Sequence, residues 1–233
     1  MGLFSREKKI EESGILTGLT DYHSHLLPDV DDGIGTTDES LKTLALMENA
    51  GISSIWLTPH IMEDMPNKTD DLKLRFDKLC SEYHDGKIRL HLAAEYMLDT
   101  LFERRLKAND LLTFDEGRIL VETSYVNPPM NMDSLLHDLM SAGFTPILAH
   151  PERFEYMTMN DYRRYKEQGL LFQLNIPSLI GAYGKTAKSK ANKLLDCGFY
   201  NLSGLDIHSI RSMNFFLQQK LAESTVKKIE LFK

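Results

Sequence analysis

Cysteine is scarce in this chain: Cys80 and Cys197 are its only two among 233 residues. Neither sits in a paired metal or redox spacing, so a disulfide framework is excluded and a reducing, cytoplasmic setting is expected. Long apolar runs are missing too. None approaches the ~20 residues that cross a bilayer, so membrane insertion is not expected. The charged opening from Met1 to Glu12 lacks the apolar stretch of a secretory signal. Arg6 stands where a myristoylation signal needs Ser or Thr. Positive charge is in deficit, with 27 Lys and Arg against 34 Asp and Glu and a net charge of −7. A nucleic-acid surface needs the opposite balance, so no nucleic-acid partner is expected. Glycine and proline are not enriched, no segment is of low complexity, and no linker divides the chain. The length suits one domain. We read residues 1–16 as a polar N-terminal segment and residues 17–233 as a single domain.

What is present is a recurring punctuation: a helical stretch, a glycine, then an apolar strand. It occurs at Ala50-Gly51-Ile52, Ala142-Gly143-Phe144, Gln168-Gly169-Leu170 and Cys197-Gly198-Phe199. Glycine just past a helix end takes the left-handed conformation cheaply and turns the chain into the next strand. The pattern predicts strands near 18–23, 53–58, 88–95, 118–122, 145–150, 170–175 and 200–206. Helices are predicted near 37–50, 69–84, 98–107, 130–142, 159–168, 185–197 and 214–222. Thr36-x-x-Glu39 has the form of a capping box, followed by Leu41, Leu44 and Ala45 on one helix face. Strands alternating with helices imply an α/β fold with a parallel sheet covered on both faces.

Polar residues fall at one place in that pattern. His23 and His25, His60, Glu95, Glu122, His150, and Asp206 with His208 each end or follow a predicted strand. In a parallel α/β barrel that rim carries the active site, because the loops after the strands converge there. Residues two apart on a strand share a face, so Asp21-Tyr22-His23-Ser24-His25 aims both histidines the same way, and Asp206-Ile207-His208 repeats the spacing. A single histidine is more often a hydrogen-bonded structural residue than a ligand. His84 and His137, within charged helices, and His91, in mid-strand, are left with that reading. Glu95 and Glu122 each close an apolar strand, where a carboxylate is costly without a cation. In Asp29-Val30-Asp31-Asp32-Gly33, Asp32 is the favoured ligand. Five histidines and four acids exceed the about four to six ligands of a single ion, so two or three ions are expected. Mixed imidazole and carboxylate donors suit Zn, Fe or Mn better than Mg or Ca. Arg153, three residues beyond His150, and Arg211, three beyond His208, are candidates to bind a phosphate oxygen.

Taken in order, Asp-x-His-x-His, Asp-Asp-Gly, Thr-Pro-His, Ala-x-Glu, an apolar strand ending in Glu, His-Pro-Glu-Arg and Asp-x-His resemble the polymerase and histidinol phosphatase (PHP) superfamily. Within it they resemble the bacterial tyrosine-protein phosphatases of capsule and exopolysaccharide loci. The likeness runs from about Thr17 to about Arg211. It implies a distorted (β/α)7 barrel holding three metals. His23, His25, Glu95 and Asp206 would hold the first, and Asp32, His60 and His208 the second. Glu95 would bridge to the third, completed by Glu122 and His150, with Arg153 gripping phosphate. Acids at 32 and 122, where many members of the superfamily have histidine, fit the tyrosine-phosphatase branch. The expected substrate is then phosphotyrosine on the tail of a bacterial tyrosine kinase, with a small phosphoester such as histidinol phosphate as the alternative. Neither Cys80 nor Cys197 is followed by Arg six residues on, which removes the loop of a cysteine-dependent phosphatase.

Overall fold

Parallel strands and intervening helices account for most of the chain; the computed structural model describes residues 6–232. In order these are β1 (Glu7–Lys9), α1 (Ile10–Ser13), β2 (Thr20–Ser24), α2 (Thr37–Asn49), β3 (Ser54–Leu57), β4 (His60–Ile61) and α3 (Thr69–Glu82). Next come β5 (Arg89–Leu92), β6 (Glu95–Met97), α4 (Thr100–Ala108), β7 (Arg118–Glu122), α5 (Met132–Ser141), β8 (Thr145–Leu148) and α6 (Met159–Glu167). The last are β9 (Leu171–Asn175), α7 (Ile176–Ile180), α8 (Gly184–Asp196), β10 (Leu202–Gly204), α9 (Ile210–Leu217), β11 (Lys220–Ala222) and α10 (Glu223–Ile229).

The strands form a curled parallel sheet. One part runs β10-β9-β8-β7-β6-β4 and the other β2-β3-β5. The strand expected at 53–58 is β3, with β4 an additional short strand beyond it, and the one expected at 88–95 divides into β5 and β6; Pro59 is the reason. Ala93 N and Glu95 N still donate to Leu57 O and Pro59 O at 2.9 and 3.1 Å, but Pro59 has no N–H to return a bond, so the ladder breaks there. At the far side β10 lies against β2: Asp206 N donates to His23 O at 2.7 Å and His25 N to Ile207 O at 3.0 Å. Side chains alternate between two apolar clusters. Ile55, Leu57, Ile119, Val121 and Leu148 face the helices. Trp56, Leu120, Ile147 and Leu202 face the other way, in a smaller cluster with Phe114 and no helix residue. That second cluster is the floor on which the rim residues stand.

The four glycines predicted past helix ends all lie at positive φ, between 67° and 98°. The Thr36 signal is half realised. Thr36 Oγ1 accepts from Glu39 N at 3.2 Å, yet Glu39 does not reach back; its carboxylate accepts from Ile210 N at 3.2 Å and so caps α9 instead. The buried face of α2 is Ser40, Thr43, Leu44 and Met47, with Ala45 exposed and Leu41 only partly buried. The helix expected at 214–222 is displaced. Ser209 caps α9 four residues earlier, in a capping box with Ser212, and 220–222 becomes a strand because it pairs antiparallel with β1. That pairing ties the polar N-terminal stretch, in its described part, to the rest: Ile10, Ile15 and Leu16 are buried in the main core. Residues 1–5 of that stretch lie outside the described residues. No helix among the described residues is long and apolar enough to cross a membrane.

Gly204 sits where β10 meets β2. A Cβ there would lie 2.5 Å from His23 Cβ and 2.7 Å from Gln173 Nε2. Gly204→Ala should therefore cost about 1–3 kcal/mol of stability through overpacking, read as a lowered midpoint in thermal unfolding; an unchanged midpoint would contradict this packing.

Candidate metal centre

The donors sit at or just beyond strand ends, on one rim of the sheet. His23 closes β2 with His25 just beyond, His60 and Glu95 open β4 and β6 after the Pro59 break, and Glu122 ends β7. His150 follows β8, and Asp206 and His208 follow β10. His150 and Asp206 both hold left-handed backbone, at φ 31° and 52°. Non-glycine residues rarely adopt it, and such strain collects at functional sites.

The donors converge. His23 Nε2 is 3.1 Å from Glu95 Oε2 and 3.5 Å from Asp206 Oδ1. His25 Nε2 is 3.4 and 3.3 Å from the same two oxygens. His60 Nδ1 stands 3.1 Å from Glu95 Oε2 and 3.2 Å from Glu122 Oε1, while its Nε2 is 3.6 Å from Asp32 Oδ1. His208 Nε2 is 3.5 Å from that Asp32 oxygen, and His150 Nε2 is 3.0 Å from Glu95 Oε1. All nine predicted donors thus fall into overlapping groups: His25 with Asp32, His60 and His208; His23 with His25 and Glu95; His23 with His150 and Asp206; and His60 with Glu95 and Glu122. Donors held at about 2.1 Å around one tetrahedral ion stand about 3.4 Å apart, which is the spacing seen.

Two further observations fit a bound cation. Glu95 Oε2 and His60 Nδ1 are buried and neither makes a hydrogen bond, though they stand 3.1 Å apart. Their ring partners are also set for ligation. Gln173 Oε1 takes the Nδ1 side of His23 at 3.1 Å, Asp31 Oδ2 that of His25 at 2.8 Å, and the Asp206 carbonyl that of His208 at 3.0 Å. Each leaves Nε2 turned toward the cluster, as metal-ligating histidines require.

The electrostatics follow from crowding buried charges. Burial opposes protonation of His23, but the Glu95 and Asp206 carboxylates outweigh it and lift its pKa to about 9. Burial would raise Glu95, and His23 and His60 instead hold it well below the usual carboxylate range. Burial, reinforced by Glu95, raises Glu122. Burial and the Arg153 cation push His150 down to about 4, leaving a neutral imidazole. A cation entering this cluster replaces protons as the neutralising charge.

Arg153 lies beside the donors and is mostly buried; its Nη1 donates to Asp206 Oδ2 at 2.8 Å. Arg211, the other predicted phosphate ligand, is exposed in the first turn of α9, and its side chain makes no hydrogen bond or ion pair among the described residues. The histidines set aside stay out of the cluster, although His84 lies just past the end of α3 rather than within it. His91 stacks on Trp56 at 4.6 Å, and His84 and His137 are exposed.

Sequence reasoning missed the supporting polar residues. Asp31, next to the chosen Asp32, is the buried acid that orients His25 and also accepts from His60 N at 3.1 Å. Asp21 is fully buried; its Oδ1 accepts from Leu205 N at 2.8 Å and His23 N at 3.2 Å, linking β2 to β10. Glu152 lies beneath His150, accepting from Asn175 N and the Tyr200 hydroxyl at 3.1 and 2.9 Å. The signal for Asp21 was its place at the start of the Asp-x-His-x-His run. Asp31 and Glu152 gave none beyond neighbouring a candidate.

The comparisons with known proteins bear on this centre. A family model described as "Capsular polysaccharide synthesis, CpsB/CapC" matches residues 19–230. The chain belongs to the CpsB/CapC family. It is 28% identical over 209 residues to the tyrosine-protein phosphatase YwqE of Bacillus subtilis (strain 168), covering 87% of this chain and 82% of that protein. It is 27% identical over 215 residues to the tyrosine-protein phosphatase CpsB of Streptococcus pneumoniae, covering 86% and 87%. A solved structure from work on YwqE and CpsB, described as "unique metal-dependent tyrosine phosphatases", superposes with a TM-score of 0.80 at 26% identity, over 92% of this chain and 88% of that one. The curled parallel α/β sheet is therefore a feature this CpsB/CapC chain shares with a solved structure.

Two predictions follow from the supporting residues. Asp31→Asn removes the carboxylate that fixes His25 and should weaken metal binding about 10–100-fold, read by competition with a metallochromic chelator; wild-type affinity would rule out an orienting role. Burial raises the Glu152 pKa from its ordinary 4.5 to about 7. Below pH 4.5 the carboxyl is neutral folded or unfolded and costs nothing. Above pH 7 the fold must ionise it, at a cost of up to about 3 kcal/mol. Glu152→Gln should therefore gain stability relative to wild type between pH 5 and pH 8; a stability difference that does not change with pH would contradict it.

Proposed function

We propose that this chain is a metal-dependent phosphatase that hydrolyses phosphotyrosine on protein substrates. The observation that carries this reading is the convergence of nine donors, with buried atoms lacking a hydrogen bond at their centre, beside an arginine. The family relationship supplies the substrate class, since its named relatives are tyrosine-protein phosphatases. We read the strand positions as seven, counting β3 with β4 and β5 with β6, in a distorted (β/α)7 barrel of the PHP type. The continuous Ala93 and Glu95 bonds across Pro59 and the contact of β10 with β2 support that count.

Two or three ions of Mn, Fe or Zn are the proposed cofactor. His23, His25, Glu95 and Asp206 would hold one, Asp32, His60 and His208 a second, and Glu122 and His150 a third that shares Glu95. Bound divalent ions supply Lewis acidity toward phosphoryl oxygens and lower the pKa of water. The chain's own residues prepare that chemistry. Gln173 and Asp31 fix the histidine tautomers, so no ligand must reorient during turnover. Arg153 offers its fork of N–H donors to phosphoryl oxygens as negative charge grows there. Hydrolysis adds water at phosphorus, breaks the bond to the tyrosine oxygen, and leaves the phenol with a proton. No thiol takes part. Cys80 lies near the end of α3 and Cys197 caps the end of α8, and in alternating strand-helix units those helix ends lie at the edge of the sheet opposite the strand C-termini. Burial also raises the Cys80 pKa, with Asp77 adding to it, which disfavours the nucleophilic thiolate. The proposed partner is the phosphorylated tail of a bacterial tyrosine kinase that controls polysaccharide export, met in the cytoplasm.

Metal-replete protein should hydrolyse a phosphotyrosine peptide faster than histidinol phosphate, and a chelator should abolish turnover. His150→Ala should lose at least about 100-fold in kcat/KM, while Cys80→Ala/Cys197→Ala stays within twofold of wild type. Turnover that survives the chelator, or a preference for histidinol phosphate, would refute the reading.

A further inference from the structure

The Arg153 guanidinium is held by more than its ion pair. Its Nη2 donates to the Tyr125 hydroxyl at 2.6 Å. Its Cζ lies 4.4 Å from the centre of the Tyr125 ring and 4.1 Å from that of Tyr183. The Tyr183 hydroxyl donates at 3.2 Å to Asp206 Oδ2, the oxygen that also takes Arg153 Nη1. Tyr125 is itself braced. Its carbonyl accepts from Glu155 N at 2.7 Å, and its ring stacks at 6.3 Å on the buried Phe154.

We propose that Tyr125 and Tyr183 are positioning residues that hold Arg153 beside the donor cluster as a ready-aligned fork for phosphate oxygens. This rests on the reading that the centre takes a phosphate monoester. A free arginine would lose much rotamer freedom on gripping a ligand; one already stacked on two rings and bonded to a phenol loses little. Capacity remains for the ligand. A guanidinium carries five N–H donors, and Arg153 engages two of them among the described residues. A cleft of about 220 Å³ opens on it between Tyr125, Tyr183 and Thr186. The two tyrosines divide the work. Tyr125 bonds the arginine and packs its ring 5.9 Å from that of the donor His150, whereas Tyr183 stacks on the arginine and hydrogen-bonds the donor Asp206.

Calorimetric binding of inorganic phosphate to metal-loaded protein tests this without relying on turnover. Tyr125→Ala should weaken phosphate about 10-fold, and Tyr125→Phe, which keeps the ring on Phe154, about threefold, each with wild-type metal content. Arg153→Ala/Tyr125→Ala should bind no more weakly than Arg153→Ala alone, because the tyrosine acts through the arginine. Tyr183→Phe should weaken metal binding as well as phosphate. Phosphate affinity within twofold of wild type in Tyr125→Ala, or a double variant whose loss is the product of the single losses, would overturn the proposal. Failure of wild-type protein to bind phosphate would do the same. If this pattern holds but wild-type protein does not turn over phosphotyrosine, the positioning role stands and the substrate reading falls.

Discussion

Glu95 is the constraint around which the rest is arranged. Its carboxylate is completely buried at the start of β6, just past the Pro59 break, and one oxygen makes no hydrogen bond. An unpaired buried charge is among the costliest things a fold can contain. Here it is balanced by imidazoles from three other strand ends, His23, His60 and His150. Of these rings His23 is held by Gln173, and the neighbouring His25 is held by Asp31. None of these residues is satisfied without the others, which is the expected condition of a site built for a cation.

The scaffold supports this in a specific way. The apolar floor of Trp56, Leu120, Ile147 and Leu202 closes the space below the donors, so polar groups collect only at the rim. The close contact of β10 with β2, possible because Gly204 has no side chain, brings Asp206 to His23 and His25. Backbone strain at His150 and Asp206 marks where the chain departs from its ordinary path to aim a donor.

Much of the fold was legible because its signals are local. Helices preceded by caps and followed by glycine, and short apolar strands, depend on neighbours a few residues away. The misses have non-local causes. Pro59 broke a ladder through a bond it could not return to a strand more than thirty residues on. Residues 220–222 became a strand because the N-terminal β1 lies alongside, and Glu39 capped α9 rather than its own helix. In the centre, all nine chosen donors were brought together, but Arg211 was left exposed at a helix start.

The chain by itself determined which residues could ligate and that they would share a rim. A donor type at the end of an apolar strand is a local pattern, and parallel strands place their ends together. Only the tertiary structure decided how they are used. That Asp31 rather than Asp32 orients His25, that Gln173 serves both His23 and the backbone of His150, and that two tyrosines grip Arg153 are relations of three-dimensional placement. They depend on ångström-level distances between residues as far apart as His23 and Gln173, which spacing along a chain does not encode.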